Sequence, residues 1–435
     1  MKRIAMVWVI LSVMSLPVLA NGSQDSEMAE DGTITLTTYF QIDPANPQSE
    51  GYNETVKAFE AAHPEIKIEY EYASGEAFHQ KFQAMAASGQ MPDIFTTYVG
   101  KRTAYITETG MVMDLNSYLT DSFKSSFNPA AWEPQGANGE IFTIPPSMAV
   151  CHVFYANTAI LDELGLEFPE SYSELLSQVD TIRNAGYYPV SMGNKDQWVV
   201  NSWLLSALVD RTGGKEWFTD AKKGDASFTD APFVNALKIV DEMTKKNVFS
   251  PGVNQMSNTE ADQEFYQQKS VYLIDAGWRT SAMVSILTPE QQDAVYMGVF
   301  PAIAGEATHG SSAAVPSEGF GISAKLEGTA KADAAWKFIE FFNGAEGAAI
   351  RLKYGEIPTY KLDYTKFDMA GLQKQYAEFS TTNPMGYIID AHMDGEGMGQ
   401  LNPDIQAMMF GQLSPEDVAA RYETWVAAND SNRGN

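Results

Sequence analysis

The chain has 435 residues, too many for one small core, so two domains are the natural expectation. Its net charge of −27 argues against nucleic acid, whose phosphates it would repel, and against anionic membrane surfaces. The single cysteine, Cys151, excludes an internal disulfide, and within the apolar run Val150 to Tyr155 it reads as a buried thiol and not as a nucleophile.

Lys2 and Arg3, an apolar stretch from Ile4 to Leu16, Pro17 and then Val18-Leu19-Ala20 have the order of a signal peptide over residues 1–20. The apolar run falls short of the roughly 20 residues that span a bilayer. Asn21 stands where a lipid anchor would need a cysteine, so the mature chain is expected to carry no anchor. Residues 21–31 are polar and acidic and read as a disordered lead-in. Thr33 to Phe40 is β-branched and aromatic, a predicted strand. Tyr52, Val56 and Phe59 share one face of a helix that His63-Pro64 stops. Ile66 to Tyr72 alternates as a strand does, Phe78, Phe82 and Met85 mark a second helix, and Asp93 to Tyr98 is a third strand. That order predicts an α/β fold with a parallel sheet and helices on its faces.

Further along, Ile141 to Ile144 and Val150 to Ala156 read as strands around Pro145-Pro146. Asn157 is placed to cap a helix running to Leu164, and Ser171 or Ser173 to cap another ending near Gly186. Val271 to Asp275, Val295 to Phe300 and Phe320 to Ala324 are short predicted strands, and Lys331 to Phe342 a helix. Ser414, Pro415 and Asp417 signal the start of the last helix.

Enzyme signatures are absent. His63, His79, His152, His309 and His392 are scattered, without metal-ligand spacing or an HExxH motif. There is no GxSxG elbow, no P-loop and no GxGxxG after a strand. Gly395, Gly397 and Gly399 read as a flexible loop, and the acids beside them, Asp394 and Glu396, lack the EF-hand pattern. These absences remove the easy catalytic readings without proving a binding protein.

Several segments resemble the extracellular solute-binding proteins of family 1, the group that includes maltose-binding protein. They are YNETVKAFEAAHPEIKIEYEY with FHQKFQAMAASGQMPDIF, then IPPSMAVCHVFYANTAILDELGLEFPESYSEL, VYLIDAGW, SEGFGISAK with KADAAWKFIEFF, YGEIPTYK and GQLSPEDVAARYETW. Each is weak alone, but they follow in the family's order over most of the chain. The resemblance implies a two-lobed periplasmic-binding fold of the class II type. Each lobe is expected to be a mostly parallel sheet flanked by helices, with ligand in the cleft between lobes and hinge closure around it. It places lobe 1 at 32–143 plus 301–345 and lobe 2 at 144–300 plus 346–435, with crossings near Ile141 to Pro146, Val299 to Ala304 and Asn343 to Arg351. It also implies a carbohydrate ligand, an ABC permease as partner, a monomer, no cofactor and no catalysis. Many relatives carry an anchoring cysteine; its lack here points to a periplasm.

A sugar offers apolar C–H faces to aromatic rings and a rim of hydroxyls to planar polar groups. Trp278 is the first candidate: it follows Gly277 at a strand end and matches the family's Gly-Trp position, against the plainer reading of a core tryptophan. Trp198 is next, with Asp196 and Gln197 in the polar loop before it, while Trp203 reads as core. Glu318 lies in the VPSEGFG turn at a strand start, followed by Gly319 and Gly321, Asp43 lies after the first strand, and Tyr98 and Lys101 after the third. Glu356, Arg279, Ser147 and Met148 complete the set, and Asp390, His392 and Asp394 form a loop placed to line the cleft. All sit at strand ends, where open α/β sheets bind ligands. Two rivals stand: the same fold holding a polyamine, iron or a phosphodiester, and a secreted polysaccharide-active enzyme.

Overall fold

The structure, a computed structural model, describes residues 32–429 apart from 45, 133 and 394. The signal-peptide and lead-in segments, and Asp394, lie outside the described residues. The described chain forms ten strands: β1 (Ile34–Gln41), β2 (Ile66–Ala73), β3 (Ile94–Thr97), β4 (Met148–Val150), β5 (Val153–Asn157), β6 (Tyr188–Ser191), β7 (Ser270–Asp275), β8 (Val295–Gly298), β9 (Ala314–Pro316) and β10 (Gly319–Ile322).

The first lobe is built on the sheet β10-β3-β1-β2. β1 runs parallel to β2, from Ile34 opposite Ile66 to Gln41 opposite Ala73, and parallel to β3; β10 is antiparallel to β3. The helix Gln48–Ala62 turns Val56 and Phe59 onto one face, and Ala330–Asn343 adds Phe338, Ile339 and Phe342. Phe40 stacks on Phe320 with centroids 4.1 Å apart, and Phe338 and Phe342 close the same aromatic core.

The second lobe carries the sheet β6-β7-β5-β8. Here β6 and β7 are parallel, but β5 runs antiparallel to both β7 and β8, so this sheet is mixed where a mostly parallel one was expected. Every residue of β7 is buried, as in a sheet covered on both faces. The caps lie where the side chains imply: Asn157 accepts from the Ile160 N–H, and Ser171 with Glu174 and Ser414 with Asp417 form reciprocal boxes. Gly395, Gly397 and Gly399 do not form a loop: they open the helix Gly395–Met409. A Cβ on Gly397 would lie 2.6 Å from the Trp425 ring, so its glycine serves close helix packing.

Three passes of chain join the lobes side by side. β4 pairs with β9, the Ser317 N–H donates to the Ser147 carbonyl at 3.0 Å, and the Thr359 N–H donates to the Pro146 carbonyl at 2.8 Å. Both later passes fall further along the chain than the sequence implied. Residues 301–313 belong with the second lobe: the Ala302 N–H bonds the Glu170 carbonyl, Arg211 bonds the Phe300 carbonyl and Glu306, and Ala313 is in the second-lobe core. The return is therefore β9. The helix Ala345–Leu352 still rests on the first lobe, where Gly51 meets Tyr354, and the last pass is the stretch through Thr359.

That last pass is tied by Arg351 and Glu356, both almost wholly buried, with Nε to Oε1 at 2.6 Å. Arg351 also donates to the Phe342 carbonyl and lies over the Phe342 ring. Glu356→Ala strands a buried guanidinium and should cost about 3–5 kcal/mol in denaturant unfolding; a loss within experimental error would contradict the role. His152 gives a second test. It is fully buried, its Nδ1 lies 2.9 Å from the Trp203 carbonyl, and burial pulls its pKa down to about 4. The unfolded chain therefore takes up a proton below its ordinary pKa of 6.5 that the folded chain refuses, so His152 adds a loss of stability as pH falls through that window. The melting temperature should fall less steeply from about pH 7 to pH 5 in His152→Asn than in the native chain; equal slopes would contradict this.

Candidate functional site

On the first lobe, parallel β1 and β3 end at the edge where antiparallel β10 begins. This brings Gln41, Tyr98 and Glu318 together from three separate stretches of sequence. The Tyr98 hydroxyl donates to Gln41 Oε1. Beyond β3 a short turn, Lys101–Thr103, holds exposed Arg102 with its guanidinium carbon 4.9 Å from the Tyr98 ring centre. Arg102 Nη2 lies 2.9 Å from His79 Nε2. Burial, and then Arg102, lower the His79 pKa to about 4, so the imidazole stays neutral and accepts that bond.

On the second lobe the parallel strands β6 and β7 end, and β5 begins, at one edge. β6 leads to the turn carrying Trp198, and β7 to Gly277 and Trp278. Between them Val200–Leu205 is a π-helix, a widened turn of the kind found at functional sites. Its Trp203 is 1% exposed. Trp198 and Trp278 both meet Trp203 edge-on, at 5.3 Å and 6.2 Å, so a buried indole supports two more exposed ones. Gly277 is required for a neighbour within the protein: a Cβ there would lie 2.1 Å from the Tyr376 ring, whose hydroxyl is 3.4 Å from the Met148 carbonyl. Ser202, beside Trp203, donates at 2.5 Å to Asp390 Oδ2.

The two edges face each other. The Gly100 backbone of the first lobe packs against the Ala391 carbonyl of the second, where a Cβ would come within 2.5 Å of the oxygen. Arg102 thereby acts on carboxyls of both lobes. Burial raises the Glu318 pKa, which its own backbone N–H and then Arg102 pull back. Burial likewise raises Asp390, opposed by Ser202 and then Arg102.

Of the residues named from sequence, Trp278, Trp198, Tyr98 and Glu318 stand on these facing edges. Asp43 is exposed just past β1, with its carbonyl accepting from the Asn46 N–H. Lys101 begins the turn that carries Arg102. Asp196 is exposed, whereas Gln197, in the left-handed region at φ 67°, donates to Gln406 Oε1 at 3.2 Å. Arg279 is held by Asp262 and Asp275, each at 3.1 Å, and Glu356 by Arg351, so both answer to partners within their own lobe or pass. Ser147 and Met148 lie on the hinge passes. Sequence reasoning missed Arg102, Gln41, His79 and Ser202; only the position of Arg102 just past a strand end could have drawn attention to it. Two surface cavities, of about 400 Å³ and about 260 Å³, are lined by none of the facing-edge residues.

Among solved structures, a protein from work on xylan utilisation by Caldanaerobius polysaccharolyticus superposes with a TM-score of 0.80 at 23% identity, over 90% of this chain and all of that one. A chitin oligosaccharide binding protein superposes with a TM-score of 0.78 at 21% identity, over 91% and 99%. In sequence, the multiple sugar-binding protein of Streptococcus mutans is 21% identical over 79% of each chain. An uncharacterised ABC transporter extracellular-binding protein of Pyrococcus horikoshii is 20% identical over only 45% of each. The chain thus spans under half the length of that relative. Residues 45–349, most of the chain, match a single family, and the protein belongs to the bacterial extracellular solute-binding proteins.

Proposed function

We propose that this protein captures a mono- or oligosaccharide between its lobes and presents it to the permease of an ABC importer, as a monomer free in the periplasm and without catalysis. The observation that carries the reading is the pairing of edges: two indoles braced on Trp203 face an edge of polar groups. In this reading Trp278 and Trp198 cover the C–H faces of the sugar. Glu318, Asp390 and Tyr98 take hydroxyls, whose burial demands hydrogen bonds. In the same reading Asp43 and Lys101 are outer contacts on the first-lobe side. Relatives named for multiple sugars and for maltotriose support a sugar. Export accords with the family, and no helix among the described residues is long and apolar enough to cross a membrane.

One observation favours a second reading. Glu318 and Asp390 are two carboxyls of raised pKa on facing edges, the kind of pair a glycosidase uses. A thermal-shift screen of neutral saccharides, polyamines and iron chelates, with product analysis, separates these readings. A ligand that binds only the folded state raises the melting temperature by mass action. A rise with a saccharide that is recovered intact is expected; its hydrolysis would support the enzyme, and a rise with a polyamine alone would overturn the sugar.

Trp278→Ala should weaken saccharide binding by one to two orders of magnitude, about 1–3 kcal/mol, in a calorimetric titration. Unchanged affinity would make Trp278 a packing residue. Trp203→Ala should instead lower stability by about 3–5 kcal/mol, seen in denaturant unfolding, because it empties a buried site.

A further inference from the structure

The π-helical turn beneath Trp198 and Trp278 is tied down residue by residue from outside. The Val200 N–H donates to Asn194 Oδ1 at 3.1 Å, Asn201 Nδ2 to Asn402 Oδ1 at 2.8 Å, and Ser202 to Asp390, while the Trp203 carbonyl accepts from His152 Nδ1 at 2.9 Å. A π-helix is rare and short, so such bonds decide its register. Because the partner of His152 is a carbonyl, the donating proton stands on Nδ1. Nε2 has no hydrogen-bond partner among the described residues. The ring is wholly buried, edge-on to Phe300, and burying an unpaired ring nitrogen costs stability. An apolar side chain would fill the place without that cost. What a histidine adds is the bond to Trp203.

His152 also belongs to the hinge. It follows β4, whose Val150 carbonyl accepts the Gly277 N–H at 2.8 Å, one residue before Trp278. Beside it the Cys151 N–H donates to the Ala313 carbonyl at 2.8 Å, and Ser312 Oγ donates to the His152 carbonyl. The passes through β4 and β9 are thus joined where they enter the second lobe. From β4 the chain reaches Trp278 through Val150 and Trp203 through His152.

We propose that His152 is a positioning residue for saccharide binding: its Nδ1–H fixes the turn whose Trp203 braces Trp198 and Trp278, and holds these indoles in register with the hinge. The proposal rests on the saccharide reading above. A stacking surface set before the ligand arrives loses little freedom on binding. Indoles tied to the hinge strand meet the first-lobe edge in the same place at each closure.

His152→Asn keeps an N–H donor at the position of Nδ1, and His152→Leu removes it. In the ligand-free mature protein, His152→Leu should change the near-ultraviolet circular dichroism of the tryptophans, which reports how the indoles are set, and His152→Asn should retain the native spectrum. Calorimetric titration with xylo-, malto- and chito-oligosaccharides should show binding about tenfold weaker in folded His152→Leu and near native in His152→Asn. Adding His152→Leu to Trp278→Ala should cost little more affinity, because both act through the same indole. Should His152→Leu not fold, His152→Gln, whose donor lies one bond farther from the backbone, takes its place. Unaltered dichroism or unaltered affinity in the folded variant, or equal damage in His152→Asn, overturns the proposal and leaves the saccharide reading standing. No binding of any saccharide by the native protein overturns that reading and the binding role with it, while the dichroism still decides whether His152 sets the indoles.

Discussion

Pro146, Ser147, Ser317 and Thr359 lie on three separate passes of the chain, and their backbones are bonded to one another. The site depends on this lacing. It holds two sheets that share no strand so that the strand ends of one look at those of the other. Arg351 and Glu356 fix the third pass in a buried ion pair, and Tyr376, fitted against Gly277, ties the second-lobe edge to the hinge carbonyl of Met148. A small set of soft dihedrals between stiff lobes is the structural requirement for hinge closure.

The chemistry divides between the lobes. The second lobe supplies aromatic surface, stiffened because Trp198 and Trp278 share one buried support. The first supplies polar groups already oriented by one another, Tyr98 by Gln41 and Arg102 by Tyr98 and His79. Groups oriented in advance lose little freedom on binding, which favours affinity. Cys151 and His152 link β4 to β5, yet both are buried, and burial pushes the thiol pKa up and the imidazole pKa down. Neither is poised for nucleophilic work.

Much of the architecture was legible because local signals and tertiary packing agree. The alternation of IKIEYEY became β2, and Ser414-Pro415 with Asp417 became a capped helix. The failures share a cause: contacts distant in sequence decide them. Pro301 looked like a crossing, but Arg211 holds the carbonyls around it to the second lobe. Three alternating glycines looked flexible, but Trp425 needs the space at Gly397. The mixed second sheet follows from where β5 inserts, and no periodicity reports that. Strand-end logic singled out Trp278, Tyr98 and Glu318, which stand on the facing edges, while Glu356 and Arg279 have buried guanidinium or carboxylate partners invisible in sequence. Arg102, whose contacts with Tyr98 and His79 are described above, drew no notice in sequence because no local pattern reports contacts with residues so far apart in the chain.

The central claim, that the facing edges hold an intact saccharide, is tested most directly by native mass spectrometry of the mature protein after incubation with a mixed polysaccharide hydrolysate. The account predicts a one-to-one complex whose added mass is that of an unaltered neutral saccharide, and its loss in Trp278→Ala. A complex retained in that variant, an added mass that is not a saccharide, or no complex at all would contradict it.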